Sequence, residues 1–369
     1  MLSDVVKEFS CRNKDLRVQK VYSVTNSDGF MPSQDYFSKD VFSKDLSNYK
    51  IVRKGMLAYN PSRINVGSVA CLQSEDEVIV SPLYVVVEVN EKKLLAEYLN
   101  LFLHSDIALE QIKSLTSGSV RDSLKYNAFT RLCLPIPTVE MQRAVIKKLN
   151  AIKKLIVKRE QQLSKLDQLA KSRFIEMFGH QGCNEKNMPI GKIDDVAEIY
   201  LGLTHTPTYV DCGVKFISAK NTSCDYLDLS DVKYISREEF EKVPRGAKPQ
   251  IGDVLFSRVG SNLGHPVILD ISEELCTFVS LGFLRSKGQV TNIYLKYWMK
   301  DEFFTEQIKQ KVVGGGQPNL NTGWLKEFKI IIPPLELQNE FAAFIEQLDK
   351  SKVICNKMHK MVEFSLFRV

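Results

Sequence analysis

Val139–Phe178 reads VEMQRAVIKKLNAIKKLIVKREQQLSKLDQLAKSRFIEMF, forty residues without a glycine or a proline. Apolar residues recur at Val145, Leu149, Ile152, Ile156, Leu163, Leu166, Ala170 and Met177, in steps that alternate three and four with polar interruptions at Arg159 and Arg173. That is the period of a helix seam packed on another helix. A helix this long spans on the order of 55–60 Å at about 1.5 Å per residue, more than the width of a small domain. It therefore runs between parts of the molecule and needs a partner helix.

The partner is in the same chain. Ile332–Pro333–Pro334–Leu335–Glu336–Leu337–Gln338 echoes Ile136–Pro137–Thr138–Val139–Glu140–Met141–Gln142 at an offset of 196. A second run free of glycine and proline follows, through Phe341, Ile345, Leu348, Cys355, Val362 and Leu366, and the same offset reproduces the seam. Lys352 and His359 interrupt it, and Phe178 would correspond to position 374, so the second helix is expected to be about a turn shorter. Between Arg143 and Arg173 stand ten Lys/Arg and two acids; between Glu336 and Glu363 stand four Lys and five acids. Opposite charge beside a shared seam favours pairing of these two helices over self-pairing.

The repetition extends over each half. Leu2–Ser3–Asp4–Val5–Val6 matches Ile193–Asp194–Asp195–Val196–Ala197, and Gly55–Met56–Leu57–Ala58–Tyr59–Asn60 matches Gly252–Asp253–Val254–Leu255–Phe256–Ser257. Gly118–Ser119 with Leu124 matches Gly314–Gly315 with Leu320. Near-constant offsets mean a duplicated architecture, and the divergence between landmarks means a repeated scaffold with unlike surfaces. In the first half, 17–24, 51–59, 68–71, 82–89 and 131–134 read as strands and 93–115 as a helix. In the second, 215–218, 253–257, 266–269, 276–284 and 328–332 read as strands and 293–312 as a helix. The expected organisation is a mixed α/β, mostly β domain over 1–137, a long helix over 138–179, a linker and second domain over 180–333, and a closing helix over 334–369.

Composition narrows the function. The net charge of +6 is a mild basic bias, compatible with nucleic acid but not diagnostic. Eight scattered cysteines form no C-x-x-C pair, and the five histidines do not cluster with them, so reduced thiols and no metal site are expected. The first residues carry charge and lack a signal-peptide core, and the most apolar run, 78–89, is too short for a bilayer, which points to a soluble cytoplasmic protein.

Catalytic chemistry is missing from the pattern. Asn60–Pro61–Ser62–Arg63 is close to the Asn-Pro-Pro-aromatic motif of DNA adenine methyltransferases, but the aromatic is absent and the other repeat has Ser257–Arg258–Val259–Gly260. Gly314–Gly315–Gly316 lacks the lysine of a phosphate loop. No credible nucleophile or general base emerges. What remains are loop residues able to meet phosphates or base edges: Arg53, Lys54, Arg63, Arg121 and Lys125 in the first half, and Lys220, Asn221, Arg245, Lys248, Arg258, Asn262, Gln317, Asn319 and Asn321 in the second. Arg suits guanine, Asn and Gln suit adenine, and Lys mostly meets phosphate. For any one of them a solvated side chain is the simpler reading; as a set on duplicated domains they suggest two recognition surfaces.

The order and duplication of these motifs resemble the DNA specificity (S) subunits of type I restriction–modification systems. The residues that carry it are Gly252–Asp253–Val254–Leu255–Phe256–Ser257–Arg258 and its counterpart at Gly55, Gly118–Ser119 and Gly314–Gly315, the I-P-x-x-E-x-Q entries, and the close of the first helix, L-A-K-S-R-F-I-E-M-F-G. The resemblance covers the whole chain. It implies two target recognition domains reading the halves of a bipartite site in double-stranded DNA. It also implies two antiparallel helices, related by pseudo-twofold symmetry, that set the spacer. Two modification subunits would bring S-adenosylmethionine and the adenine chemistry, and restriction subunits would bring ATP and Mg, with no cofactor in this chain. A non-catalytic DNA-binding regulator and a self-contained methyltransferase or nuclease are the alternatives.

Overall fold

The run Val85–Val89 (VVVEV) shows how the first half is built. Val85 and Val87 pack with Leu99, Leu103, Ile112 and Phe129, while Val86 faces a second cluster with Val24, Val52 and Val78. A strand buried on both faces needs no polar alternation, which is why it reads as an unbroken β-branched run. The computed structural model describes residues 1–26, 28–36, 45–116, 123–260, 262–311 and 319–366, with side chains except at 35–36 and 357–366.

Two compact units divide it: Met1–Val157 with Met361–Val369, and Lys158–Lys360. In the first, β1 (Val6–Glu8), β2 (Leu57–Tyr59), β3 (Val69–Cys71) and β4 (Val85–Val89) form a sheet of order β1-β4-β2-β3. All pairs are antiparallel, with Val6 opposite Val89 and Leu57 opposite both Val87 and Cys71. Two helices cover one face, α1 (Ala96–Leu103) and α2 (Asp106–Thr116). The long helix α3 is Val139–Phe178.

In the second unit, β5 (Ala197–Leu201), β6 (Val254–Ser257), β7 (Pro266–Ile268) and β8 (Leu281–Ser286) repeat that sheet in the order β5-β8-β6-β7, again antiparallel throughout. Then come α4 (Asn292–Met299), α5 (Glu302–Lys311) and the closing helix α6 (Leu335–Leu366). The further strands differ between units. In the first, Lys50–Arg53 pairs antiparallel with Glu77–Val80. In the second, Tyr209–Val210, Lys233–Ile235, Val214–Ile217 and Leu275–Thr277 form a separate four-stranded sheet whose last pair is parallel.

The last turns of α3 pack on α6 inside the second unit. Ala170, Phe174, Met177 and Phe178 share a core with Phe341, Ile345, Leu348, Tyr294 and Trp298. Arg173 pairs with Glu340 at 3.0 Å and Asp167 with Lys352 at 2.7 Å, so one helix falls in number as the other rises and the pair is antiparallel. Lys352, which breaks the apolar seam on paper, is there to meet Asp167. The seam positions Val362 and Leu366 lie outside the described side chains.

Several expected elements change. The single helices at 93–115 and 293–312 are each two, broken where Ser105 Oγ accepts from Ala108 N and Asp301 Oδ1 accepts from Phe303 N. These are side-chain caps, strong enough to restart a helix without glycine or proline. The strand at 51–59 is split by Gly55, whose φ of 85° suits glycine. That at 17–24 is regular only over Tyr22–Val24, and that at 276–284 is two strands, Leu275–Thr277 and Leu281–Ser286. Residues 131–134 form no strand. Their counterpart Lys329–Ile331 pairs with Ile190–Lys192, and among the described residues 131–134 have no such neighbour. No described helix is long and apolar enough to cross a membrane.

Candidate nucleic-acid interface

Each sheet has one end where loops gather. In the first unit β1 ends at Glu8, β2 ends at Tyr59 and β4 begins at Val85, and the register puts all three together, with Glu8 opposite Val87 and Tyr59 opposite Val85. The loop after β2 carries Arg63, and Leu124 N donates to Pro61 O at 2.9 Å, which brings Lys125 alongside. Arg63 and Lys125 are exposed. Arg53 and Lys54 stand at the other end of β2, in the turn that enters it. Arg53 is tied to Glu77 at 2.9 Å and lies over the Phe9 ring. Arg121 lies outside the described residues.

The second unit repeats the hook: Leu320 N donates to Arg258 O at 2.9 Å. This gathers Arg258, Asn262, Asn319 and Asn321. Asn262 Nδ2 donates to Ser223 O at 3.2 Å, which adds the turn holding Lys220 and Asn221. Arg245 and Lys248 are on a separate segment, with Lys248 Nζ 4.4 Å from the Phe240 ring centre. Gln317 lies outside the described residues.

Two of the candidates have their polar groups engaged within the fold. Asn221 is 3% exposed; its Oδ1 accepts from Ser218 N, and its Nδ2 donates to Asp228 O and Asp231 O. Its amide is consumed in shaping a turn. Arg258 donates from Nε to Leu320 O and from Nη1 to Val279 O, and burial lowers its pKa. It is a strut between three loops. Asn321 also has a local duty, its Oδ1 accepting from Gly323 N at 2.7 Å to cap a short helix. Lys220 is ion-paired to Asp231 at 2.8 Å but exposed.

The region beside Asn262 is charged. Asp225 meets Lys300 at 2.7 Å and His265 at 3.3 Å, along a cavity of about 370 Å³. Burial pushes the Asp225 carboxyl up, but the hydrogen bond and charge of Lys300 outweigh it and hold the carboxyl low. Burial lowers His265. Its Nε2 faces two acceptors, the Cys224 carbonyl at 3.0 Å and Asp225, so Nε2 carries the proton. Among the described residues no group of three or more His, Cys, Asp or Glu is placed to hold a metal.

Paired glutamines position these loops and helices: Gln142 and Gln338, which the repeated motif marks without a role, and Gln111 and Gln307, which no motif marks. Gln142 is fully buried; its Oε1 accepts from Leu95 N, and its Nε2 donates to Lys93 O and Pro137 O. Gln338, equally buried, makes the same three bonds with Thr291 N, Gln289 O and Pro333 O. Gln111 bridges both backbone groups of Cys133, and Gln307 those of Lys329. The final glutamine of I-P-x-x-E-x-Q is therefore the staple that sets each long helix on its own unit.

Comparison with known proteins agrees with this duplicated plan. The family described as Type I restriction modification DNA specificity domain matches residues 185–363. The MjaVIII type I restriction enzyme specificity subunit of Methanocaldococcus jannaschii is 22% identical over 75% of this chain and 69% of its own length. The EcoKI specificity subunit of Escherichia coli K12 is 20% identical over 76% of this chain and 63% of its own length. In fold, a chain from a structure on complex assembly and conformational transition of the type I R-M system aligns over 100% of this chain and 93% of that one, at 18% identity and a TM-score of 0.61. The type I S subunit of M. genitalium aligns over 99% of this chain and 92% of its own, at 12% identity and a TM-score of 0.53. By its family match over residues 185–363, its relatives and its fold, the chain is similar to the DNA specificity subunits of type I restriction–modification systems.

Proposed function

We propose that each unit reads one half of a bipartite site in double-stranded DNA and that the chain directs a partner adenine methyltransferase, and with it a restriction subunit, to that site. The observation that carries this is the repeated sheet: one strand order and one set of hooks and glutamine staples occur twice, while the further strands and loop residues differ. A repeated framework with unlike loops suits two readings of different sequence on one duplex. The paired helices α3 and α6 set the spacing between the half-sites. Equivalent helix entries at Gln142 and Gln338 offer two like seats, which fits two copies of one modification subunit. S-adenosylmethionine, ATP and Mg belong to those partners, which flip and methylate the adenine, and this chain supplies recognition alone.

Mapping methylated adenines in cells with and without this chain tests the reading. A bipartite motif should be present with it and vanish on its deletion. The purified chain, given DNA and S-adenosylmethionine but no partner, should transfer no methyl groups; transfer by the chain alone would overturn the assignment.

A further inference from the structure

The loop-bearing ends of the two sheets are built alike but finished differently. In the second unit the end is sealed. Leu203 N donates to Thr277 O and Val279 N donates to Leu203 O, both at 2.8 Å, and the Arg258 guanidinium bolts Val279 to Leu320. In the first unit the same end is open, as a cleft of about 480 Å³. Glu8, Asn60, Ser62, Leu83, Lys125 and Asn127 are among its lining. Pro61 stands where the second unit has Arg258, so the guanidinium that ties the second unit's loops has no counterpart at that position.

Glu8 is the distinctive group in that cleft. It sits two residues beyond Val6 and opposite Val87, so it shares their face of the sheet, at the point where the strand ends. Its counterpart at the offset of the repeat is Ile199. Among the described residues its carboxylate has no hydrogen-bond or ion-pair partner. Beneath it Tyr59 is fully buried and its hydroxyl is unpartnered, where the second unit has Phe256. Lys125 precedes the short helix Tyr126–Phe129 and is exposed, and among the described residues its ammonium has no hydrogen-bond or ion-pair partner. Leu83 is 77% exposed beside these polar groups.

An ionised carboxylate only accepts hydrogen bonds. On the major-groove edge of a base pair the matching donor is an exocyclic amino group, N4 of cytosine or N6 of adenine, and the partner base presents an acceptor for an ammonium. We propose that this cleft is the base-reading pocket of the first unit, with Glu8 accepting from the exocyclic amino group of one base and Lys125 donating to the acceptor of its partner. The second unit, sealed at the equivalent place, reads through other loops. This rests on the bipartite-site reading and adds to it the residues that specify one position.

The test maps methylated adenines in cells carrying the partner subunits with the wild-type chain, with Glu8→Gln, or with Lys125→Met. Glu8→Gln keeps the shape of a half-buried side chain but adds a donor, and Lys125 is exposed, so both variants keep the fold; unfolding midpoints of the purified chains check this. Glu8→Gln should relax one position of one half-motif, by on the order of tenfold or more in discrimination. Lys125→Met should weaken the same position, and the other half-motif should stay as it is. The identity of the relaxed position, C·G or A·T, tells which amino group is read. Unchanged half-motifs in both variants, or changes in both halves, would overturn the pocket. A wild-type chain that produced no bipartite motif would instead overturn the reading on which the pocket rests.

Discussion

Gln142 and Gln338 show what a single buried side chain decides in this molecule. Each amide satisfies one backbone N–H and two carbonyls that no secondary-structure ladder reaches. Removing it strands those groups away from water, and a buried orphan costs more than a hydrogen bond gains. Gln142→Ala and Gln338→Ala should each destabilise the unit that carries them by about 3 kcal/mol, measured by denaturant unfolding. Losses below about 0.5 kcal/mol would show that the staples are incidental. Sequence located both glutamines by their repeated motif but not their duty, because two of the three partners of each stand 47 to 49 residues away in the chain. Distance likewise hid the fate of Arg258, whose acceptors are Val279 and Leu320, whereas Asn221 is engaged by its own turn, at Ser218, Asp228 and Asp231. Their residue types suit base reading, and only the surrounding backbone shows that their donors are already engaged.

Among the elements, the two long helices were the most legible and their neighbours the least. The seam appears as a period because a helix brings every third or fourth residue to one side, whatever lies opposite. Its end is anchored by an aromatic cluster in which Phe341 lies 5.4 Å from Phe178, 5.5 Å from Phe174 and 5.1 Å from Tyr297, ring centre to ring centre. Phe341→Ala should therefore cost about 3–5 kcal/mol in the unfolding of the second unit. A double variant with Phe174→Ala should lose less than the sum, because the two rings share one cavity. By contrast, 93–115 and 293–312 each hold an apolar period across a break. Period alone does not register Ser105 or Asp301 turning the chain, since capping is a local hydrogen bond and not a pattern.

At the scale of the whole molecule, two exchanges separate recognition from spacing. Exchanging residues 1–137 for the equivalent segment of a type I specificity subunit should alter one half-motif and leave the other, read by mapping methylated adenines; changes in both halves would count against independent recognition. Adding one heptad within residues 155–165 and its partner in α6 should change the spacer and neither half-motif. The duplication, the pairing of the long helices and the absence of a catalytic motif were set by the sequence alone, because they depend on identity and spacing, which survive at constant offsets. Which polar loop residues are free to touch DNA was decided only by tertiary structure. A donor is available when nothing nearby accepts from it, and what lies nearby is a matter of distant strands closing on one another. That is why Arg258 and Pro61, at matched positions of one repeated framework, leave one sheet end sealed and the other open.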